Sequence, residues 1–183
     1  MLIISDETRN VYPETSLGLL AINNVCNPHQ HEKLQGCKIE LENNLREKYA
    51  SLDKSYPTVS SLVEAMFMAE MKNLLLTAGH DLDTIDLPIK LDIAKGEGDE
   101  KITQITGQEK TLIKNDMFVS DLQGITSSII YGPDKRTQIK PDTRRVLRVV
   151  YMPPGIGKER TLQHLGDIKK YVELISPKQK VEL

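Results

Sequence analysis

Four residues of the types that bind zinc lie close together in the first part of the chain: Cys26, His29, His31 and Cys37. Thiolates and imidazoles are common zinc ligands, and four of them can close a structural site. The spacing, however, is unlike that of paired C-x-x-C knuckles. Cys37 also falls on the apolar stripe of a predicted helix, where a free cysteine behaves as a small hydrophobic residue. We therefore predict no metal site here.

Two other catalytic patterns fail on their own residues. Gly155-Ile-Gly-Lys158 is similar to the end of a phosphate-binding loop, but Met152 stands where the first glycine is required. Glu159 also replaces the Ser or Thr that would hold magnesium. Ser127 and Ser128 lack the G-x-S-x-G turn of a serine hydrolase. We therefore predict a site that works by binding a ligand in a pocket, with no metal, no cofactor and no Ser-His-Asp triad.

The segment Gly79-His80-Asp81-Leu82-Asp83 combines a glycine with three titratable side chains. The glycine ends a predicted apolar helix, so the titratable groups would lie at a helix terminus, at the edge of a cleft. The alternative is a C-cap glycine followed by exposed charges, which is common at helix ends.

A second candidate segment is the turn that follows the predicted strand ending in Ser127 and Ser128. It contains Gly132-Pro133 and then Lys135 and Arg136. A tight turn that carries Lys and Arg at the end of a buried strand can hold a carboxylate or a phosphate. The alternative is a loop with solvated charges.

The charges of the chain are unevenly distributed. The chain has 183 residues, 39% of them hydrophobic and 27% charged, which fits one folded domain, and its net charge is −2. Residues 131–160 carry a net charge of +5, and the remainder carries −7. A basic stretch on an acidic protein predicts either a phosphate-binding face or a solvated surface.

Several features predict a cytoplasmic protein that does not enter membranes. No apolar stretch approaches the roughly 18 residues that a bilayer-spanning helix needs. The N-terminus lacks the basic region and cleavage pattern of a signal peptide. Two cysteines do not make the disulfide framework of a secreted scaffold. The sequence does not predict an oligomeric state.

Apolar periodicity predicts three helices and several strands. The helices run from Leu34 to Tyr49, from near Pro57 to Gly79 with a capping box at Ser61-Leu-Val-Glu64, and from Lys158 to Ile175. The last helix is predicted to bury the face that carries Leu162, Leu165, Ile168, Val172 and Ile175. The strands are predicted at 17–25, 89–93, 101–106, 117–119, 125–131 and 146–152. Strict βαβ alternation is missing, so we predict an α/β (α+β) fold with mixed sheet layers and flanking helices.

From Ser60 to about Tyr151, the order and spacing of short motifs resemble the central domain of the phenylalanyl-tRNA synthetase beta chain. This is the B-three/B-four module, which clears tyrosine wrongly attached to tRNA. The motifs are Leu62-Val63-Glu64, Asp81-Leu-Asp-Thr-Ile85, Ile93-Ala94, Thr106-Gly-Gln-Glu109 and Ser120-Asp121, followed by SSIIYGPDKRTQIKPDTRRVL from Ser127 to Leu147. The last stretch is similar to freestanding proteins built from this module alone. The N-terminal strand and helix also fit that branch, so we expect residues 1–183 to form one such domain.

The resemblance implies a pocket for an aminoacyl group next to a rim that faces RNA. The synthetase places a Thr-Asn pair on the helix of its editing pocket and a His eleven positions after the Asn. Alignment on Val63-Glu64 puts Met66-Phe67 and Ala78 at those positions, so these editing residues are absent, and His80 lies two residues from the His position. In that family a positioned water attacks the ester and no protein nucleophile is used, so the missing His alone does not exclude hydrolysis.

Three functions stay open. The first is a freestanding relative of the editing domain that binds an aminoacyl-tRNA end, with hydrolysis of mischarged tRNA in trans as its reaction. In that function His80 or Asp81 orients the ligand or water. The residues expected to line the pocket are Ser127, Ser128 and Gly132. The residues expected to bind phosphate are Lys135, Arg136, Arg144 and Arg145. The second is a non-catalytic binding module for a free amino acid or small metabolite, which the missing editing residues favour. The third is an interaction protein without a small ligand.

Overall fold

A computed structural model describes residues 2–48 and 59–182 of the protein. The strands are β1 (Leu2–Ile4), β2 (Ser16–Asn23), β3 (Thr77–Asp81), β4 (Ile89–Ile93), β5 (Lys101–Thr103), β6 (Glu109–Thr111), β7 (Met117–Ser120), β8 (Ile125–Ser128), β9 (Gly132–Pro133), β10 (Arg145–Met152) and β11 (Lys180–Glu182). The helices are α1 (Asp6–Val11), α2 (Glu32–Lys48), α3 (Ser61–Asn73) and α4 (Lys158–Ile175), with a 3₁₀ turn at Leu82–Thr84.

These strands form two sheets and a hairpin. Sheet 1 has the order β1-β4-β7-β8-β9, in which β1 runs parallel to β4 and the other neighbours are antiparallel. Sheet 2 has the order β11-β2-β10-β3 and is antiparallel throughout. β5 and β6 pair only with each other. This architecture confirms the predicted α+β fold with mixed sheets and flanking helices.

Strand β10 organises the interior. Val146 packs in the apolar cluster that β2 shares with α2, α3 and α4. Leu147 and Val149 pack in a second cluster, against β4 and β7 of sheet 1. Because successive side chains point to opposite faces of a sheet, β10 turns its even-numbered residues toward the helices. Its odd-numbered residues fill the layer between the two sheets.

Most of the predicted elements are present. Helix α4 has the predicted bounds, and the strands predicted at 17–25, 89–93, 117–119 and 146–152 correspond to β2, β4, β7 and β10. The strand predicted at 125–131 ends earlier, with β8 at Ser128, and residues 129–131 form a turn that leads into β9. The predicted helix end at Tyr49 and helix start near Pro57 lie outside the described residues. The strand predicted at 101–106 is shortened to β5, and β1, α1 and β11 were not predicted.

The predicted helix end at Gly79 is wrong. Helix α3 ends at Asn73, and Leu74 forms its C-cap in the left-handed conformation, with φ 54° and ψ 48°. Leu75 and Leu76, which continue the apolar pattern, belong to the connection that leads into β3. Gly79 lies in the middle of β3. The sequence did not reveal this end because leucine rarely adopts a positive φ.

Two further helix predictions are wrong. The capping box is absent, since Ser60 is the N-cap of α3 and Glu64 instead accepts hydrogen bonds from Gln35 and Lys38 of α2. On α4, Leu162 is 56% exposed. The buried face of α4 passes through polar residues instead, including Thr161, His164 and Asp167. The His164 and Asp167 side chains are buried with hydrogen-bond partners from α3 and β3, whereas the Thr161 hydroxyl donates to Gly157 O at the start of α4.

Candidate ligand-binding cavity

A cavity of about 670 Å³ lies where α3, β3 and the ends of β8 and β9 meet. Helix α3 contributes one wall, the edge strand β3 a second, and residues 128–141 a third. The segment after the second predicted helix and the turn that follows Ser128 therefore come together around a hollow. Its volume falls within the range of roughly 300–1,000 Å³ that small-molecule sites occupy.

The wall of this cavity is mostly apolar. The apolar lining residues are Val59, Val63, Met66, Phe67, Leu76, Ala78, Ile105, Ile129, Pro133, Ile139 and Pro141. Among the described lining residues, Glu70 is the one acidic group and none is Lys or Arg. His29 and Tyr151 are the other titratable residues in the wall. A ligand would therefore meet a hydrophobic surface with one negative group.

Glu70 is held in place by β3. Its Oε1 accepts a hydrogen bond of 2.6 Å from the backbone N–H of Thr77. Burial raises the pKa of Glu70 to about 7, and the Thr77 hydrogen bond and the positive charge of Arg148 oppose that rise. Both protonation states are consequently populated near neutral pH.

A buried chain of hydrogen bonds links this wall to α4. The Asn73 side-chain amide lies 3.3 Å from His164 Nδ1, and His164 Nε2 lies 2.7 Å from Thr77 Oγ1. The same amide of Asn73 donates to Asp167 Oδ2 at 3.0 Å. Burial lowers the pKa of His164, so its neutral form is favoured. Thr77 is thus fixed on both sides, by Glu70 and by α4.

A completely buried guanidinium lies beneath the cavity. Arg148 of β10 donates to the carbonyl oxygen of Leu62 at 2.7 Å and to Met66 Sδ at 3.5 Å. A Cβ on Gly79 would overlap Arg148 Nη1 and would lie 3.1 Å from Met66 Sδ. Gly79 is therefore glycine because Arg148 occupies the space that a side chain would need. Arg148 itself does not line the cavity.

Of the three predicted pocket residues, Ser128 and Gly132 line the cavity and Ser127 does not. The Ser127 hydroxyl is buried and lies 2.9 Å from Tyr151 Oη, a hydrogen bond that joins sheet 1 to sheet 2. Tyr151 lines the cavity, and burial raises the pKa of its phenol. Ser127 thus contacts a lining residue, Tyr151, without lining the cavity itself. Its contact with a ligand stays a prediction.

His80 and Asp81 are not brought to the cavity. His80 is completely buried, and its Nδ1 lies 2.8 Å from Thr137 Oγ1. Burial, and then the charges of Arg148 and Arg136, lower the pKa of His80 to about 3, so it is neutral at physiological pH. Asp81 Oδ2 accepts a hydrogen bond of 2.7 Å from Thr143. Neither residue lines the hollow, so the geometry does not support the predicted role in orienting a ligand there.

The four predicted phosphate-binding residues divide into two kinds. Arg136 makes two hydrogen bonds, of 2.8 and 3.0 Å, to the carboxylate of Asp121. Arg145 pairs with Asp83 at 2.8 Å. Lys135 and Arg144 are exposed instead. These two cations are available to an external anion, whereas Arg136 and Arg145 serve internal ion pairs.

The described residues contain no group of three His, Cys, Asp or Glu side chains placed to hold a metal ion. The Cys26 thiol lies 3.3 Å from the carbonyl oxygen of Ile175, at the end of α4. Within the same residues, no helix has the length and apolar character that a bilayer-spanning segment needs.

Sequence reasoning missed Glu70, Thr77 and His164. One signal for Glu70 was present, because it follows Met66 by four positions and Phe67 by three, which places it on the same helix face. Met66 and Phe67, like Ala78, are positions that the resemblance assigns to editing residues, and all three line the cavity. Thr77 and His164 are 87 residues apart, and no local pattern predicts their contact.

Comparison with known proteins gives a likeness in structure. No protein-family model matches the chain, and no curated protein matches it in sequence. The structure is similar to that of an N-terminal fragment of the phenylalanyl-tRNA synthetase beta-subunit from Pyrococcus horikoshii, with a TM-score of 0.61 and 14% sequence identity. The match covers 99% of this chain and 50% of that fragment. The expected resemblance to this beta chain is confirmed as a likeness of fold, and the particular module stays a prediction.

Proposed function

We propose that the protein is a freestanding homologue of a synthetase editing domain, formed by residues 1–183, that binds the aminoacyl end of a charged tRNA in the cytoplasm. One observation carries the proposal: the three positions that the resemblance assigns to the editing pocket, Met66, Phe67 and Ala78, line a single cavity of ligand size. The fold likeness to a synthetase beta-subunit fragment supports the same assignment.

The cavity wall suits an apolar amino-acid side chain. Its apolar residues come from α3, β3 and the segment 128–141 and so surround the hollow on several sides. Full burial of an aliphatic or aromatic side chain contributes about 1.5–3 kcal/mol to binding. A polar side chain would need hydrogen-bond partners that this wall offers at few positions.

The RNA part of the ligand is assigned to the exposed cations beside the cavity. Lys135 and Lys140 are exposed and lie in the same segment as the lining residues Pro133, Ile139 and Pro141. Arg144 follows in the same stretch and is also exposed. We assign phosphate contacts to these three residues. We assign to Arg136 and Arg145, which form ion pairs within the protein, the role of stabilising the loop.

Filling the cavity is expected to weaken binding of a charged tRNA more than tenfold, about 1.4 kcal/mol. Val63 of α3 is half-buried in the cavity wall, so Val63→Trp places an indole where the aminoacyl group would lie. Binding is measured by fluorescence anisotropy, with a tRNA that carries a hydrolysis-resistant 3′-aminoacyl amide. Leu162→Trp, on an exposed part of α4, is the matched control. Equal affinity of wild type and Val63→Trp would reject the cavity as the site.

Removing exposed cations is expected to reduce the salt dependence of tRNA binding. Each phosphate contact to single-stranded RNA contributes about 0.7 to the slope of log K against log salt. Lys135→Ala/Arg144→Ala should therefore lower that slope by about 1.4. Lys169→Ala/Lys170→Ala, on α4, is the control pair. Absence of tRNA binding even at low salt would leave the alternative, a binding module for a free amino acid or small metabolite.

Hydrolysis of the bound ester is a second candidate function, carried by the fold likeness alone. A deacylation assay on mischarged tRNA, with His80→Ala beside the wild type, tests the reaction and the predicted part of His80 in it.

A further inference from the structure

We propose that Glu70 is the specificity-determining residue of the cavity: its carboxylate accepts the ligand's ammonium group, and the cavity selects amines whose neighbouring carboxyl group is blocked over free amino acids. This inference rests on the proposed function and specifies which chemical groups the ligand must carry. It follows from the hydrogen bonds of Glu70, from the charges behind it and from the composition of the wall.

One oxygen of Glu70 is free for a ligand. Oε1 is occupied by the Thr77 N–H at 2.6 Å, whereas Oε2 accepts no hydrogen bond from any residue that the structure describes. Thr77 is fixed in turn by His164 at 2.7 Å. The carboxylate is therefore held at a defined position in the wall, so an incoming donor does not have to order it.

Glu70 also lacks a contacting cation within the described part of the chain. Arg148 acts on it through space, but the guanidinium hydrogen bonds go to Leu62 O and Met66 Sδ. A carboxylate in such surroundings is costly to ionise, and the pKa of Glu70, raised to about 7 by burial, reflects that cost. An ammonium group on the ligand would supply the missing contact and the missing charge.

The same wall disfavours a ligand carboxylate. Among the described lining residues there is no Lys or Arg, so the carboxylate of a free amino acid would be buried without a cationic partner. It would also be repelled by Glu70. An ester or amide keeps the ammonium group and removes this negative charge. The wall therefore matches a carboxyl-blocked amine better than a zwitterion.

The inference is tested by calorimetry at pH 7.5 with three kinds of probe. L-Leucinamide and L-phenylalaninamide present an ammonium group without a carboxylate, the free amino acids present both charges, and N-acetyl-L-leucinamide presents neither. The amides are expected to bind at least tenfold more tightly than the other probes. Glu70→Gln, which keeps the size and the Thr77 hydrogen bond, is expected to abolish that preference. Glu159→Gln, at an exposed position of α4, is the matched control and should retain it.

The outcomes separate this inference from the proposed function. Free amino acids that bind as tightly as the amides, an unchanged preference in Glu70→Gln, or failure of the amides to bind would each overturn the role of Glu70. The Val63→Trp experiment on charged tRNA does not depend on that role. If it still shows cavity-dependent binding, the proposed function stands and this inference alone is lost.

Discussion

The Arg148→Ala variant is expected to unfold with a free energy about 4 kcal/mol below that of the wild type, as measured by urea denaturation. The truncation removes a long, completely buried side chain and leaves a cavity beneath α3, and large-to-small core changes cost about 2–5 kcal/mol. It also removes the hydrogen bond to Leu62 O and the charge that opposes the pKa rise of Glu70.

Two variants distinguish the sources of this loss. Arg148→Met fills most of the same volume without a charge and should restore most of the stability, since buried charges are often replaceable by apolar groups of similar shape. Arg144→Ala, at an exposed position, should change the free energy of unfolding by less than about 0.5 kcal/mol. If Arg148→Ala were as stable as Arg144→Ala, the described packing around the guanidinium would be wrong.

The Glu70→Gln variant is expected to be more stable than the wild type at pH 8, by roughly 3 kcal/mol, and of similar stability at pH 4.5. The pKa of Glu70 is about 7 in the folded protein, against an ordinary value of 4.5 in the unfolded chain. Between those values Glu70 binds more protons in the folded state than in the unfolded state, so its contribution to wild-type stability falls as the pH rises through this window. A tenfold difference between the two acid dissociation constants corresponds to about 1.4 kcal/mol.

His80 gives the wild type an opposite slope at lower pH. Its folded pKa of about 3 lies below the ordinary value of 6.5, so the unfolded state binds more protons in that interval. The contribution of His80 to stability therefore falls as the pH drops from 6.5 toward 3. Urea denaturation curves of wild type, Glu70→Gln and the control Glu159→Gln at several pH values check both pH dependences of the free energy of unfolding. Parallel pH profiles for wild type and Glu70→Gln would contradict the pKa assigned to Glu70.

The regular elements were predictable because their signals are local. Helix α4 buries Ile168, Val172 and Ile175 at helical spacing, and β4 alternates buried and half-buried residues from Ile89 to Ile93. The end of α3 was not predictable, because its signal is a left-handed leucine at position 74 instead of a glycine. The spacing of apolar residues identifies which residues face a core. It contains less information about where a helix or strand ends.

The candidate site was predictable in part. The turn that contains Ser128 and Gly132 was located from its position after a buried strand, and both residues line the cavity. His80 was chosen because it lies two residues from the position that the resemblance assigns to the editing His, but its strand lies against β10 and the ring is completely buried. Glu70 was not among the predicted site residues. Its hydrogen bond comes from Thr77 of β3, seven residues further along the chain, and the charge that acts on it comes from Arg148 of β10, which is distant in sequence.

The hydrogen bond between Ser127 and Tyr151 connects the two sheets of the molecule beside the cavity. Tyr151 belongs to sheet 2 and Ser127 to sheet 1, and the hollow opens beside the point where they meet. A ligand bound in that cavity would contact residues of both sheets and would add non-covalent contacts between them. Ligand binding is therefore expected to stabilise the contact between the two sheets, and a variant that weakens this contact is expected to weaken ligand binding as well.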